Sequence, residues 1–246
     1  MRIKTACASL ASRSKQRENR ICEDAVGKFS ANGITSIILS DGAGSRKHSA
    51  TGARTAVQSV GKAISMDFHI FVKLLKSGKS NQVANELLRI VRTELNSKRF
   101  AATDGIEEYA STLLFAACDK EKLLLGQLGD GGIVLSCLAS KLAFEPIRGE
   151  FANQTCFTTS STALSDFQLK LLPLNGITGV TLFSDGVASS IIENATGAVA
   201  PAIQTMVGWL QEYKVKTVEN ALFENLNSHF IQRTHDDCSI SIMAVA

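Results

Sequence analysis

Apolar positions along this chain fall into two kinds of pattern, and each kind is grouped. Short runs with strand character occupy residues 4–10, 34–39, 111–117, 122–128, 133–138, 180–183 and 239–245. Between the second and third runs the period changes to that of helices. Residues 49–64 bring Ala53, Ala56, Val57, Val60 and Ile64 onto one face, and residues 81–95 do the same with Val83, Leu87, Ile90, Val91 and Leu95. The helical period returns late with Ile203, Met206, Val207 and Leu210, then with Val218, Leu222, Leu226 and Phe230. Paired helices bracketing clustered strands predict an α+β fold, a sandwich in which helices cover antiparallel sheets. Residues 145–166 lack a period and read as a long loop.

Composition narrows the classes. With 246 residues, 45% of them hydrophobic, the chain can bury the core of one large domain, expected to span residues 1–246. A net charge of +3 and 6% aromatic residues give neither the basic surface nor the stacking platforms that nucleic acid requires. No stretch approaches the roughly 18 apolar residues of a membrane span. The six cysteines form no C-x-x-C pair and lie mostly in apolar stretches, as buried reduced thiols of a cytoplasmic protein would.

Chemistry is concentrated in acidic residues at the ends of strand-like runs. Two copies of Ser-Asp-Gly, Ser40-Asp41-Gly42 and Ser184-Asp185-Gly186, follow such runs, and each glycine is expected to permit a sharp turn. Glu23-Asp24, Gly129-Asp130-Gly131 and Asp236-Asp237 complete the set. Each alone is an ordinary turn sequence. Together they predict carboxylates gathered at strand tips, which repel one another unless a cation lies between them. Only oxygen donors recur, so the expected ion is hard, Mn2+ or Mg2+ rather than Zn2+.

These motifs, together with Ser111-Thr112-Leu113 and in this order, resemble the metal-dependent serine/threonine protein phosphatases of type 2C. Glu23-Asp24-Ala25, Asp41-Gly42-Ala43-Gly44-Ser45 and Gly149-Glu150-Phe151-Ala152-Asn153-Gln154-Thr155 are similar to the compact stand-alone bacterial branch. The resemblance implies an α-β-β-α sandwich of two antiparallel sheets flanked by paired helices. It also implies hydrolysis of phosphoserine and phosphothreonine in proteins by a water or hydroxide activated between two Mn2+ or Mg2+ ions, with a third ion in many bacterial members. By motif, Asp41 bridges the two central ions, the Gly42 carbonyl completes one site, and Glu23, Asp185 and Asp236 bind the other. Asp24 holds metal-bound water from behind, and Asp130 with Asp185 matches the third site. Catalysis then rests on Asp41 and Asp24. Asp237, beside a ligand position, is the weaker candidate of its pair.

Two departures qualify the resemblance. Ala43 stands where some members carry a histidine general acid, and His48, at the start of a helix, reads as a capping or surface residue rather than its substitute. Asn19 stands where many members place a phosphate-gripping arginine, four residues before the glutamate. Arg17 and Arg20 flank it within a run that also holds Arg13 and Lys15, which makes them candidates to bind substrate phosphate. The same departures support an alternative, a phosphatase-like regulatory or phosphoprotein-binding module without turnover. Dinucleotide and Walker-type readings fail because Lys47 and Lys73 stand where glycines are required. The sequence sets neither the oligomeric state nor the substrate protein.

Overall fold

The computed structural model describes residues 2–98, 104–144, 155–193 and 196–245. Ten strands form two sheets. They are β1 (Ile3–Leu10), β2 (Ala25–Ala31), β3 (Ile34–Ser40), β4 (Leu113–Cys118), β5 (Lys122–Leu128), β6 (Gly132–Ser136), β7 (Lys141–Leu142), β8 (Gln168–Pro173), β9 (Gly179–Phe183) and β10 (Cys238–Val245). One sheet has the order β1-β10-β9-β6-β7 and the other β2-β3-β4-β5-β8. Every pairing between neighbours is antiparallel. The helices are α1 (Arg13–Arg17), α2 (Ser49–Lys76), α3 (Ser80–Ser97), α4 (Ala163–Asp166), α5 (Asp185–Ile191), α6 (Ala202–Glu212) and α7 (Val215–Asn225), with one π turn at Leu226–Phe230. None of the helices among the described residues is long and apolar enough to cross a membrane.

Three apolar layers follow from the alternation of side chains along the strands. On β4, Leu113, Phe115 and Ala117 face one way and pack with Ile64, Phe68, Leu87 and Val91 of α2 and α3. Leu114, Ala116 and Cys118 face the other way, against Ile133, Val180, Leu182 and Met243 of the opposite sheet. Beyond that sheet, Ile240 and Ile242 pack with Ile203, Val207, Leu210 and Leu222 of α6 and α7. The result is the α-β-β-α sandwich. Central strands are buried on both faces, so they read as continuous apolar runs rather than alternating ones.

Several elements differ from the sequence expectation. β2 and β8 were not expected as strands, nor was the two-residue β7. β2 carries Gly27 and Lys28, and β8 is an edge strand interrupted by Lys170 and ending at Pro173. α2 runs to Lys76, twelve residues past the expected end at 64, because Phe68, Phe71 and Val72 continue its buried face. Met66 and Ile70, both exposed, blur that period. β6 stops at Ser136, leaving Leu138 in solvent. All six cysteines are free, but only Cys118 and Cys238 are buried.

Candidate metal centre

Strand register brings the acidic motifs to one end of the sandwich. Ala25 pairs with Ser40, so Asp24, one residue before the β2 ladder, meets Asp41, one residue past β3. Phe183 pairs with both Gly132 and Ile240, so Asp185 leaves β9 between the stretch carrying Asp130 and the stretch carrying Asp236 and Asp237. Thr112 fixes the first aspartate. Its hydroxyl accepts from the Asp41 N–H at 2.8 Å, and its own N–H donates to the Asp41 carbonyl at 2.8 Å. Ser184 fixes the second by exchanging bonds with Ser239, whose N–H reaches the Ser184 hydroxyl at 3.0 Å.

Both Ser-Asp-Gly glycines are needed, though not for the reason the sequence suggests. Neither adopts a positive φ. What requires glycine is close approach. A Cβ on Gly42 would lie 2.7 Å from the Glu23 carbonyl oxygen, and one on Gly186 would lie 2.1 Å from that of Asp237. Each Asp-Gly turn is thus pressed against the backbone of another acidic motif.

Carboxylate oxygens of Asp41, Asp130 and Asp185 all lie within 4.8 Å of one another. A cavity of about 160 Å³ opens over them, lined also by Gly42, Ala43, Asp236, Asp237 and Lys15. Thr155 and Phe157 close one side of it, and the Thr155 hydroxyl donates to Asp130. The strip that carries them is tied down by Arg92 of α3, which donates to the carbonyls of Thr158 and Ser160, each at 2.9 Å. Residues 149–154 of the motif noted in the sequence, and 145–154 of the expected loop, lie outside the described residues.

The electrostatics are those of a site short of positive charge. Burial pushes Asp24 up to about 7, with the Asp237 charge adding to the effect and the nearby Ser239 and Ser184 hydroxyls opposing it. Neither Asp24 oxygen makes a hydrogen bond of proper geometry, nor does Oδ1 of Asp185. Burial, then the charges of Asp24 and Asp185, holds Asp41 well above the usual carboxylate range. Asp185 is raised by burial and by Asp130 and Asp236. Among the described residues, no basic side chain comes within ion-pair distance of Asp41, Asp130 or Asp185. An oxygen-only donor set opening onto a cavity, with unmatched acceptors beside it, fits a hard divalent cation.

Asp236 and Asp237 differ in their surroundings. Asp236 is exposed at the cavity, whereas Asp237 turns inward and accepts from the Ser12 N–H at 2.8 Å, the Glu23 N–H at 2.6 Å and Lys15 Nζ at 2.8 Å. Burial works against the Asp237 charge, but Lys15 and the two N–H groups outweigh it and hold its carboxyl below the ordinary range. Asp237→Ala is therefore expected to cost about 3–5 kcal/mol in urea unfolding, because it removes one of the two carboxylates that hold the Lys15 ammonium and leaves the Ser12 and Glu23 amides without their acceptor. Asp236→Ala, which removes a charge that presses on Asp185, should raise rather than lower the unfolding midpoint of the metal-free protein.

The basic run behaves differently from the expectation. Arg17 is exposed on α1, and Arg20 binds Oε1 of Glu23 at 3.2 Å; neither lines the cavity. Lys15 does line it, and its ammonium also stands 3.0 Å from Oε2 of Glu23. Burial disfavours the Lys15 charge, yet hydrogen bonds to Asp237 and Glu23 hold its pKa above the ordinary lysine value. No local signal picks Lys15 out of the run. Asp237, 222 residues away, makes the choice. His48 precedes α2, stacks on Tyr109 and meets Asp104 Oδ2 at 3.0 Å, outside the cavity lining.

A family model described as protein phosphatase 2C matches residues 11–227. Serine/threonine-protein phosphatase 3 of Escherichia coli strain K12 is 26% identical over 217 residues, covering 85% of this chain and 83% of that protein. The serine/threonine phosphatase Stp1 from Staphylococcus aureus superposes with a TM-score of 0.66 at 14% identity, covering 100% of this chain and 96% of the other. RsbX, solved in complex with magnesium, superposes with a TM-score of 0.58 at 12% identity, covering 99% and 96%. At these identities the two structural likenesses speak for the fold.

Proposed function

The chain belongs to the protein phosphatase 2C family, and on that premise we propose that it hydrolyses phosphoserine and phosphothreonine monoesters of protein substrates at the acidic cavity, using Mn2+ or Mg2+. The observation that carries this reading is the set of three aspartate oxygens within 4.8 Å of one another, without a basic partner. When bound, a pair of such ions lowers the pKa of water toward neutrality and neutralises phosphoryl charge. Asp41 would hold ions at the centre of the cluster, the Gly42 carbonyl would complete one site, Glu23, Asp185 and Asp236 would hold the other ion, and Asp130 with Asp185 would hold a third. Asp24, buried behind Asp41, receives a proton or orients water. Arg17 and Arg20, exposed at the end of α1 and just after it, would act on a phosphoryl anion by long-range potential rather than by lining the cavity.

The chain offers no better route through a covalent intermediate. A cysteine nucleophile needs its thiolate, and burial pushes Cys238 and Cys118 each up to about 12, with Cys22 raised further by burial and then by the charges of Asp24 and Asp237. With Ala43 at the cavity wall, the leaving-group proton must come from water or from another residue. The test is hydrolysis of a phosphothreonine peptide by protein stripped with a chelator. Phosphate release should vanish and return with added Mn2+ or Mg2+. Full activity in the stripped protein would overturn the reading.

A further inference from the structure

The acidic residues at this end of the sandwich fall into two electrostatic classes. Asp41, Asp130 and Asp185 have no ion-pair partner among the described residues, whereas Glu23 has a cation on each oxygen: Arg20 at 3.2 Å on Oε1 and Lys15 at 3.0 Å on Oε2. Its side chain is 11% exposed, so these two partners, rather than water, dominate its surroundings. Lys15 is similarly enclosed, at 14%, and a second carboxylate, Asp237, holds it at 2.8 Å.

An ammonium and a divalent ion on one carboxylate oxygen are like charges in near contact, so that oxygen serves one or the other. The exchange is small in structural terms. Asp237 keeps its bonds to the Ser12 and Glu23 amides and retains Lys15 when the ammonium lets go of Glu23. The alternative cation is thus built in, hinged on a residue that does not itself need to move.

We propose that Lys15, assisted by Arg20, is an internal counter-cation of Glu23 that makes the centre fill in two unequal steps: an ion binds first at Asp41, Asp130 and Asp185, and Glu23 accepts one only by exchange with the chain's own positive charge. The proposal rests on the metal-dependent reading above. Lys15 is a positioning residue in this scheme, acting on metal through Glu23. Cells would then supply the weaker ion at a concentration that decides how much protein is fully loaded.

The experiment is Mn2+ titration followed by calorimetry and by the electron paramagnetic resonance of free Mn2+, on the intact chain with no substrate present. The unaltered protein should show one tight step and one weaker step. Lys15→Met keeps the aliphatic stem and removes the charge; it should tighten the second step by about 5–150-fold, the range of ordinary coupling between sites, and leave the first unchanged. Arg20→Gln, at a side chain 53% exposed, should shift the same step in the same direction by less, and it decides the matter if Lys15→Met does not fold. A second step that is unmoved or weakened in the folded variants overturns the proposal. If Mn2+ binding and Mn2+-dependent hydrolysis are nevertheless present, the functional reading survives; if no variant binds Mn2+ at all, both fall.

Discussion

Asp41→Asn should lower kcat for a phosphothreonine peptide by on the order of a thousandfold or more, while raising the melting temperature of the metal-free protein. The two effects have one cause. Asp41 is half-buried beside Asp24 and Asp185, and all three carry pKa values raised by burial and by one or more neighbouring carboxylates. An amide keeps the shape and the Thr112 backbone clamp but removes one charge of the cluster. Without divalent ions that is relief. With them it would remove the ligand proposed at the centre of the site, and the electrostatic stabilisation supplied by a catalytic ion is several kcal/mol. Activity assays in Mn2+ and thermal unfolding in a chelator measure the two halves. Activity within tenfold of the unaltered protein would remove Asp41 from the centre of the scheme, and an unchanged or lower metal-free melting temperature would show that the carboxylates are not in conflict.

The second large effect is a reversal of the usual pH dependence. A carboxyl group whose folded pKa lies above its unfolded value of about 3.9 binds more protons in the native state, so stability falls as pH rises between the two values. For Asp24, raised to about 7, that window runs from about pH 4 to pH 7. Its contribution is of order 4 kcal/mol, with Asp41 and Asp185 acting in the same direction. Asp237 acts oppositely. Its lowered pKa gives stability that is present above about pH 4 and lost as the solution is acidified further. Metal-free protein should therefore melt highest near pH 4–5 and lose stability toward pH 7. Added Mn2+ should offset the loss, since it competes with protons for the same carboxylates; at a hundred times its Kd it contributes about 2.7 kcal/mol. The rise in melting temperature on adding Mn2+ must then be larger at pH 8 than at pH 5. An equal rise at both values, or a metal-free protein that gains stability from pH 5 to pH 8, would contradict the raised carboxyl pKa values.

How much of this was legible in the sequence depends on whether the relevant contact is local. Asp41 and Asp185 were legible because a buried strand ending in Asp-Gly is written in consecutive residues. So was the layering, since helix period and apolar runs sort themselves into paired helices and two sheets. β2 was hidden because Gly27, where a Cβ would strike Val57 and Phe29, breaks the apolar pattern for the sake of a helix packed across it. The role of the two glycines was misjudged for a related reason: a turn conformation is a local property, whereas the passage of Glu23 or Asp237 backbone is not. Lys15 could not be distinguished from Arg17 or Arg20 by spacing, because Asp237 selects it from the far end of the chain. Thr155 and Phe157 belong to a stretch without period, and only the Arg92 anchor shows why it lies over the cavity.

The placement of β10 between β1 and β9 carries one more consequence. This strand joins the two parts of its sheet, and the residues just before it, Asp236 and Asp237, supply a cavity wall and the tether for Lys15 and the Glu23 amide. A chain arrested before residue 236 carries four of the five acidic motifs and the β2–β3 pairing that sets Asp24 beside Asp41, yet it lacks the strand that joins β1 to β9 and the carboxylate that holds Lys15 and the Glu23 amide. The Asp236 wall and the tether of Lys15 are therefore the last parts of the cavity to be made, after the three aspartates that lie closest together are already in the chain.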